Sequence, residues 1–208
     1  MQRRKFRKTG ARVLREYGAV NPPPHIPDAA RTWSLRPHPA SAWLPAFGLR
    51  VAVQPLADGL WLDYALTGDL DGLLLPAPQV PGHADGLWRH TCLEAFVIED
   101  DGRAYREFNF SPTGQWAHYR FSDPRVPDLA PAVPLAAPMC EWRTTPGLLS
   151  LRARLPALPA SPDTDRRLGL SAVLEHRDGR LSYWALAHPA ARPDFHDPAG
   201  WRTLPCAG

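Results

Sequence analysis

The side chains with the most capacity for recognition fall between Leu87 and Phe121: Trp88, Glu94, Tyr105, Glu107, Asn109, Trp116, His118 and Arg120. An aromatic ring can lie flat against a sugar or another flat polar molecule, while carboxylate, amide, imidazole and guanidinium groups beside it bind the polar rim. Charged partners make the stronger of those hydrogen bonds. Trp116 is the expected stacking platform, with Trp88 or Trp184 as a second wall. The strand around Trp184 is apolar on both faces, so burial is the expected fate of that ring. Glu94 and Glu107 also form the kind of pair that an acid–base glycosidase uses on either side of a glycosidic bond. His118 and Arg120 are expected to neutralise them, and the sequence holds no nucleophile elbow, phosphate loop or dinucleotide fingerprint. Ligand binding without catalysis is therefore the expectation, and glycoside processing through Glu94 and Glu107 is the alternative.

Three antiparallel strands must position these groups. Two runs rich in aromatic and apolar residues, 91–98 and 104–110, flank Glu99-Asp100-Asp101-Gly102, whose Asp-Gly pair is a strong hairpin signal. A two-residue turn there sets Asp100 opposite Arg103, Glu94 opposite Asn109 and Phe96 opposite Glu107. Side chains alternate along a strand, so Cys92, Glu94, Phe96, Ile98, Tyr105, Glu107, Asn109 and Ser111 share one face. A tight turn at Pro112-Thr113 adds Trp116, His118 and Arg120 to that face. It leaves Ala117, Tyr119 and Phe121 with Leu93, Ala95, Val97, Phe108 and Phe110 on the greasy face that a sandwich core needs.

The remainder reads as more of the same. Residues 49–54 and 59–66 are strand candidates, with Leu60, Leu62, Tyr64 and Leu66 on one face and Trp61 and Asp63 on the other. Residues 140–145 and 148–155 make a hairpin about Pro146-Gly147, and 168–176 and 180–187 make another closed by Asp178-Gly179. The Pro-rich stretch 123–139 is expected to be a loop over a sheet edge, and 188–201, with Asp194-Phe195-His196-Asp197, another loop. Pro is frequent at 25 residues, which long helices tolerate poorly. Eight or nine short strands without helical periodicity predict an all-β antiparallel sandwich.

Charge is uneven. Of 24 basic and 21 acidic residues, seven basic and one acidic lie in the first 20, so the body is mildly acidic and carries no groove-reading nucleic-acid motif. Residues 1–31 are expected to be a disordered basic and Pro-rich tail, and 32–208 the folded domain. No apolar run near 18 residues predicts a membrane span. Arg3-Arg4-Lys5-Phe6 lacks the apolar segment of an export signal, so a cytoplasmic location is expected. Cys92, Cys140 and Cys206 show no disulfide or metal spacing. No cofactor is predicted. Haem would need two of His90, His118, His188 and His196, because Met139 is the only internal methionine. His188, His196, Asp194 and Asp197 match no zinc pattern, and a calcium site from loop oxygens would leave no sequence signature.

The combined motifs carry a resemblance. Leu87-Trp88, His90-Thr91-Cys92, Glu94-Ala95-Phe96, Glu107-Phe108-Asn109-Phe110-Ser111-Pro112, Gly114-Gln115-Trp116 and Tyr119-Arg120-Phe121, with the later Ser182-Tyr183-Trp184-Ala185-Leu186, His188-Pro189 and Pro193-Asp194-Phe195-His196, are similar to the DOMON-like bacterial proteins related to family 9 carbohydrate-binding modules. The resemblance covers the chain from about Thr32 onward. It implies a jelly-roll β-sandwich with a concave binding face. Relatives in the wider superfamily bind sugars or haem, so the resemblance implies a ligand of either kind, and the residues above make a carbohydrate or sugar-containing metabolite the leading expectation.

Overall fold

The computed structural model describes residues 30–41, 47–56, 58–98, 103–128, 136–156 and 165–205. The basic tail and the Asp101-Gly102 turn lie outside them. Among the described residues the elements are β-strands joined by loops and four single 3₁₀ turns. The strands are β1 (Arg31–Pro37), β2 (Gly48–Leu56), β3 (Gly59–Thr67), β4 (Gly82–His83), β5 (Cys92–Ile98), β6 (Tyr105–Phe110), β7 (Gln115–Asp123), β8 (Val126–Pro127), β9 (Met139–Thr145), β10 (Leu148–Leu155), β11 (Arg166–Glu175), β12 (Leu181–Ala185) and β13 (Arg202–Leu204). The nine long strands other than β1 fall where alternation and turn residues predict them. β1 and the short β4, β8 and β13 carry too few residues of clear period to be read in advance.

Two sheets face each other. One runs β1-β2-β3-β10-β9, and the other β4-β7-β6-β5-β11-β12, with β8 added to β7 and β13 to β11. β1 joins them, pairing through Arg31 to Leu35 with β2 and through Arg36 and Pro37 with β12. All pairings are antiparallel except that of β4 with β7.

Period-2 patterning produces the layering. Along β10, Leu149, Leu151, Ala153 and Leu155 are buried while Arg152 and Arg154 point outward. Arg152 lies 4.5 Å over the ring of Trp61, and Arg154 pairs with Asp58 at 2.7 Å. Leu60, Leu62, Tyr64 and Leu66 of β3 meet Leu93, Ala95, Val97, Phe108 and Phe110 of β5 and β6 in one central cluster. The Tyr64 hydroxyl is buried in that layer and donates to the backbone oxygen of Glu94 at 2.6 Å. A phenol inside a core needs such a partner, and this one ties the sheets together directly behind Glu94.

Candidate binding cleft

The outward face of the β5–β6–β7 sheet forms the floor of a cleft of about 680 Å3. Register decides which side chains reach it. β5 and β6 pair with Glu94 opposite Asn109 and Phe96 opposite Glu107, as the sequence predicts. β6 and β7 do not pair as predicted. Phe110 lies opposite Trp116, Phe108 opposite His118 and Glu107 opposite Tyr119.

The cause is the loop length. The Ser111 N–H donates to the Gln115 oxygen at 2.9 Å, so the turn contains three residues, Pro112, Thr113 and Gly114. Gly114 adopts a φ of 88°, the left-handed conformation that closes such a three-residue hairpin. Thr113 stabilises it further, its hydroxyl accepting from the Gln115 N–H at 3.1 Å. One residue more than the expected Pro112-Thr113 turn exchanges the two faces of β7.

The exchange relocates three of the predicted site residues. Trp116 packs against the central core and meets the edge of His83 at 5.4 Å. His118 stacks on Phe108 at 5.3 Å, and Arg120 pairs with Asp128 at 3.1 Å. None of the three shares the face of Glu94 and Glu107, so the expected neutralisation of these glutamates by His118 and Arg120 is corrected. Tyr119 and Phe121, expected in the core, line the cleft instead. Trp184 is buried, as its strand pattern predicts.

Of the other predicted residues, Trp88, Glu94 and Glu107 line the cleft, while Asn109 and Tyr105 are buried beside it. Glu94 is 2% exposed and Glu107 5% exposed, both on the cleft floor. Glu94 Oε2 accepts from the Ser171 hydroxyl at 3.0 Å, and Asn109 Nδ2 donates to Glu107 Oε1 at 2.7 Å. Glu94 Oε1 and Asn109 Oδ1 are buried with no protein hydrogen-bond partner among the described residues. Trp88 stands at the mouth in the 3₁₀ turn Leu87–Arg89, 49% exposed, with the Arg89 guanidinium 5.0 Å from its ring. Tyr105 is fully buried on the same face, beside the cleft under His196, and stacks on Phe121 at 4.9 Å and 8°.

Several cleft residues were not assigned to the ligand-binding face from the sequence. β12 contributes Leu181 and Tyr183, and the turn before β8 contributes Arg125 in the left-handed region at φ 60°. The loop after β12 brings Phe195 and His196 over the sheet. This loop is held by the Trp201 indole, which donates to the Phe195 oxygen at 2.9 Å, and by Arg125, which pairs with Asp194 at 2.9 Å. Alternation along β12 could have found Tyr183, because Ser182 and Trp184 on either side are buried. Arg125 and Phe195 sit in loops, where no period reports a direction.

A short proton network flanks the floor. The Arg125 N–H donates to the Tyr105 oxygen at 3.1 Å, and Tyr105 contacts His196 Nδ1 at 2.7 Å. With Tyr105 donating its own proton to Nδ1, His196 Nε2 carries a hydrogen toward Glu107 Oε2, 3.7 Å away. Burial, aided by Arg125, pushes the His196 pKa down to about 4, with Asp194 opposing. The imidazole is therefore neutral near pH 7, and its contact with Glu107 is not an ion pair. Burial raises Glu107 to about 6 against the pull of the Asn109 hydrogen bond and Arg125. Burial and the neighbouring Glu107 raise Glu94 well above the carboxylate range, with Ser171 acting the other way. Two under-compensated carboxyl groups thus face a cavity walled by aromatic rings.

The histidines and carboxylates considered for haem or metal are dispersed. His90 pairs with Glu175 at 2.8 Å, His188 contacts the Arg36 oxygen at 2.8 Å, and Asp197 caps the turn Pro198–Gly200 through the Ala199 N–H.

No family model matches the chain, and no curated protein matches it. Solved structures do. A family 9 carbohydrate-binding module from Caldicellulosiruptor kristjanssonii in complex with glucose superposes with a TM-score of 0.61 at 10% identity, covering 92% of this chain and 93% of that one. A "putative carbohydrate-binding protein" from Bacteroides uniformis gives 0.59 at 14% identity, covering 85% and 86%. The module in complex with cellotriose gives 0.54 at 10% identity over 81% and 80%. The chain is an all-β sandwich whose fold is similar to that of these carbohydrate-binding modules.

Proposed function

We propose that this chain is a non-catalytic module that binds a carbohydrate or sugar-containing metabolite in the cleft above Glu94 and Glu107. One observation carries the reading: Glu94 Oε1, buried and without a protein hydrogen-bond partner among the described residues, lies at the base of a cleft whose walls are aromatic. A sugar supplies hydroxyls for the floor and apolar C–H faces for Trp88, Tyr119, Phe121, Tyr183 and Phe195. The cleft volume of about 680 Å3 falls in the usual range of small-molecule sites, roughly 300–1,000 Å3. Neighbours of the same fold hold glucose and cellotriose. The DOMON-like resemblance of the motif residues accords with this reading. Thermal unfolding across mono-, di- and oligosaccharides and nucleotide sugars tests it, since a ligand that binds only the folded state raises the transition. A melt unmoved by every member of the panel rejects it.

The protonated carboxyl that Glu107 retains up to about pH 6 favours a second reading, glycoside processing with Glu94 and Glu107 as acid and base. Turnover of chromogenic glycosides that disappears in both Glu94→Gln and Glu107→Gln would establish it and displace the binding-module reading.

A further inference from the structure

The cleft separates charge by depth. At its base are two carboxyl groups, Glu94 and Glu107, and the groups that touch them are uncharged: the Ser171 hydroxyl, the Asn109 amide and the His196 imidazole. The cations lie at the rim, where Arg125 acts on Glu107 only through space, without a hydrogen bond to it among the described residues. Arg125 pairs with Asp194, and Arg89 covers the outer ring of Trp88. Asp85, the third acid of the lining, accepts from the Tyr119 hydroxyl at 2.9 Å. The sulfur of Cys92 and the phenols of Tyr64 and Tyr105 complete the titratable groups packed around the pair, and none of them brings positive charge.

Buried carboxylates without a cation in hydrogen-bonding contact are costly, and that cost falls when a cation enters. Aromatic ring faces add attraction for an ammonium group. We propose, resting on the carbohydrate reading, that the preferred ligand is an amino sugar whose ammonium group reaches the base of the cleft between Glu94 and Glu107. Glu94 Oε1, buried, lining the cleft and without a protein partner, is the acceptor for one ammonium hydrogen. Glu107 Oε2, 3.7 Å from His196 Nε2, is the acceptor for another. A neutral hydroxyl can bond to the same oxygens but leaves the carboxyl pair without its missing charge.

The two ligand types differ in their proton balance. An ammonium binds best when the floor is ionised, so its binding displaces protons from the pair. Its affinity rises with pH by up to about tenfold per pH unit while one carboxyl remains protonated, and declines once the amine itself loses its proton. A neutral sugar shows no such rise.

Calorimetric titrations of the full chain with D-glucosamine, N-acetyl-D-glucosamine and D-glucose between pH 4.5 and 8.5 test the proposal. Glucosamine is expected to bind at least about tenfold more tightly than either neutral sugar near pH 7, a difference of about 1.4 kcal/mol. That preference is expected to shrink toward pH 5 and to vanish in Glu107→Gln and in Glu94→Gln. Circular dichroism of each variant establishes that it folds, and the wild-type pH profile stands without them. Equal or tighter binding of the neutral sugars overturns the amino-sugar assignment and leaves the carbohydrate reading in place. Binding of trans-2-aminocyclohexanol with no binding of any sugar rejects the carbohydrate reading while keeping the ammonium site. No binding by any of the four overturns both.

Discussion

Replacing Glu107 by Gln should stabilise the protein at neutral pH, and the size of the effect follows from burial. Glu107 is 5% exposed, and its carboxyl titrates near 6 instead of 4.5. Below pH 4.5 it is protonated in folded and unfolded chains alike, and its titration costs nothing. Between 4.5 and 6 the unfolded chain releases the proton first, so stability falls as pH rises. Above 6 the whole penalty is present, about 2 kcal/mol. Glutamine keeps an amide oxygen for the 2.7 Å bond from Asn109 Nδ2 and has no proton to lose. The stability of Glu107→Gln relative to wild type should therefore increase by about 2 kcal/mol between pH 4 and pH 8. For a chain of this size that is a change of roughly 4–8 °C in melting temperature. Removing one charge also relieves Glu94, which enlarges the difference. Comparing the two proteins at each pH cancels any constant cost of the amide and every other titration they share. Urea denaturation at pH 4, 6 and 8 measures it. A difference flat with pH, or one that shrinks toward pH 8, refutes the account of an uncompensated acidic floor.

The inverted face of β7 separates two tryptophans. Trp116→Ala should cost about 2 kcal/mol, less than a fully buried ring because Trp116 is only partly covered, and should leave sugar binding intact. Denaturation and titration of the same preparation measure both effects. Trp88→Ala, at a half-exposed ring, should leave the melting temperature within about 1–2 °C of wild type. Gly169→Ala should destabilise by about 1–3 kcal/mol, because the new methyl would stand 2.5 Å from Trp201 Nε1. By displacing the indole that holds Phe195, it should also weaken ligand binding, and a variant with wild-type stability would contradict this packing.

Much of the architecture was legible because alternation and turn chemistry agree. The β3 and β10 patterns place Tyr64, Leu66, Leu149 and Leu151 inward without ambiguity. The β5–β6 register, and with it the neighbourhood of Glu94, Glu107 and Asn109, follows from the Asp-Gly signal. The β7 face did not follow, because Ser-Pro-Thr-Gly is compatible with loops of two or three residues, and both faces of β7 mix aromatic with polar side chains. A strand of leucines facing arginines would have rejected the wrong register, whereas Trp116-Ala117-His118-Tyr119-Arg120-Phe121 reads acceptably either way. The Arg125 and Phe195–His196 wall comes from loops whose course is set by tertiary partners, Asp194, Tyr105 and Trp201. Two of those links, Arg125 to Asp194 and Tyr105 to His196, join residues far apart in sequence.

The most direct measurement is a calorimetric titration of a sugar that raises the melting temperature into wild type, Trp88→Ala and Trp116→Ala. The cleft account predicts that Trp88→Ala loses at least about tenfold in affinity, about 1.4 kcal/mol, with an unchanged unliganded melt. It predicts that folded Trp116→Ala binds as wild type does. The reverse pattern, with affinity lost through Trp116 and retained without Trp88, would place the ligand on the opposite face of β7 and contradict the account.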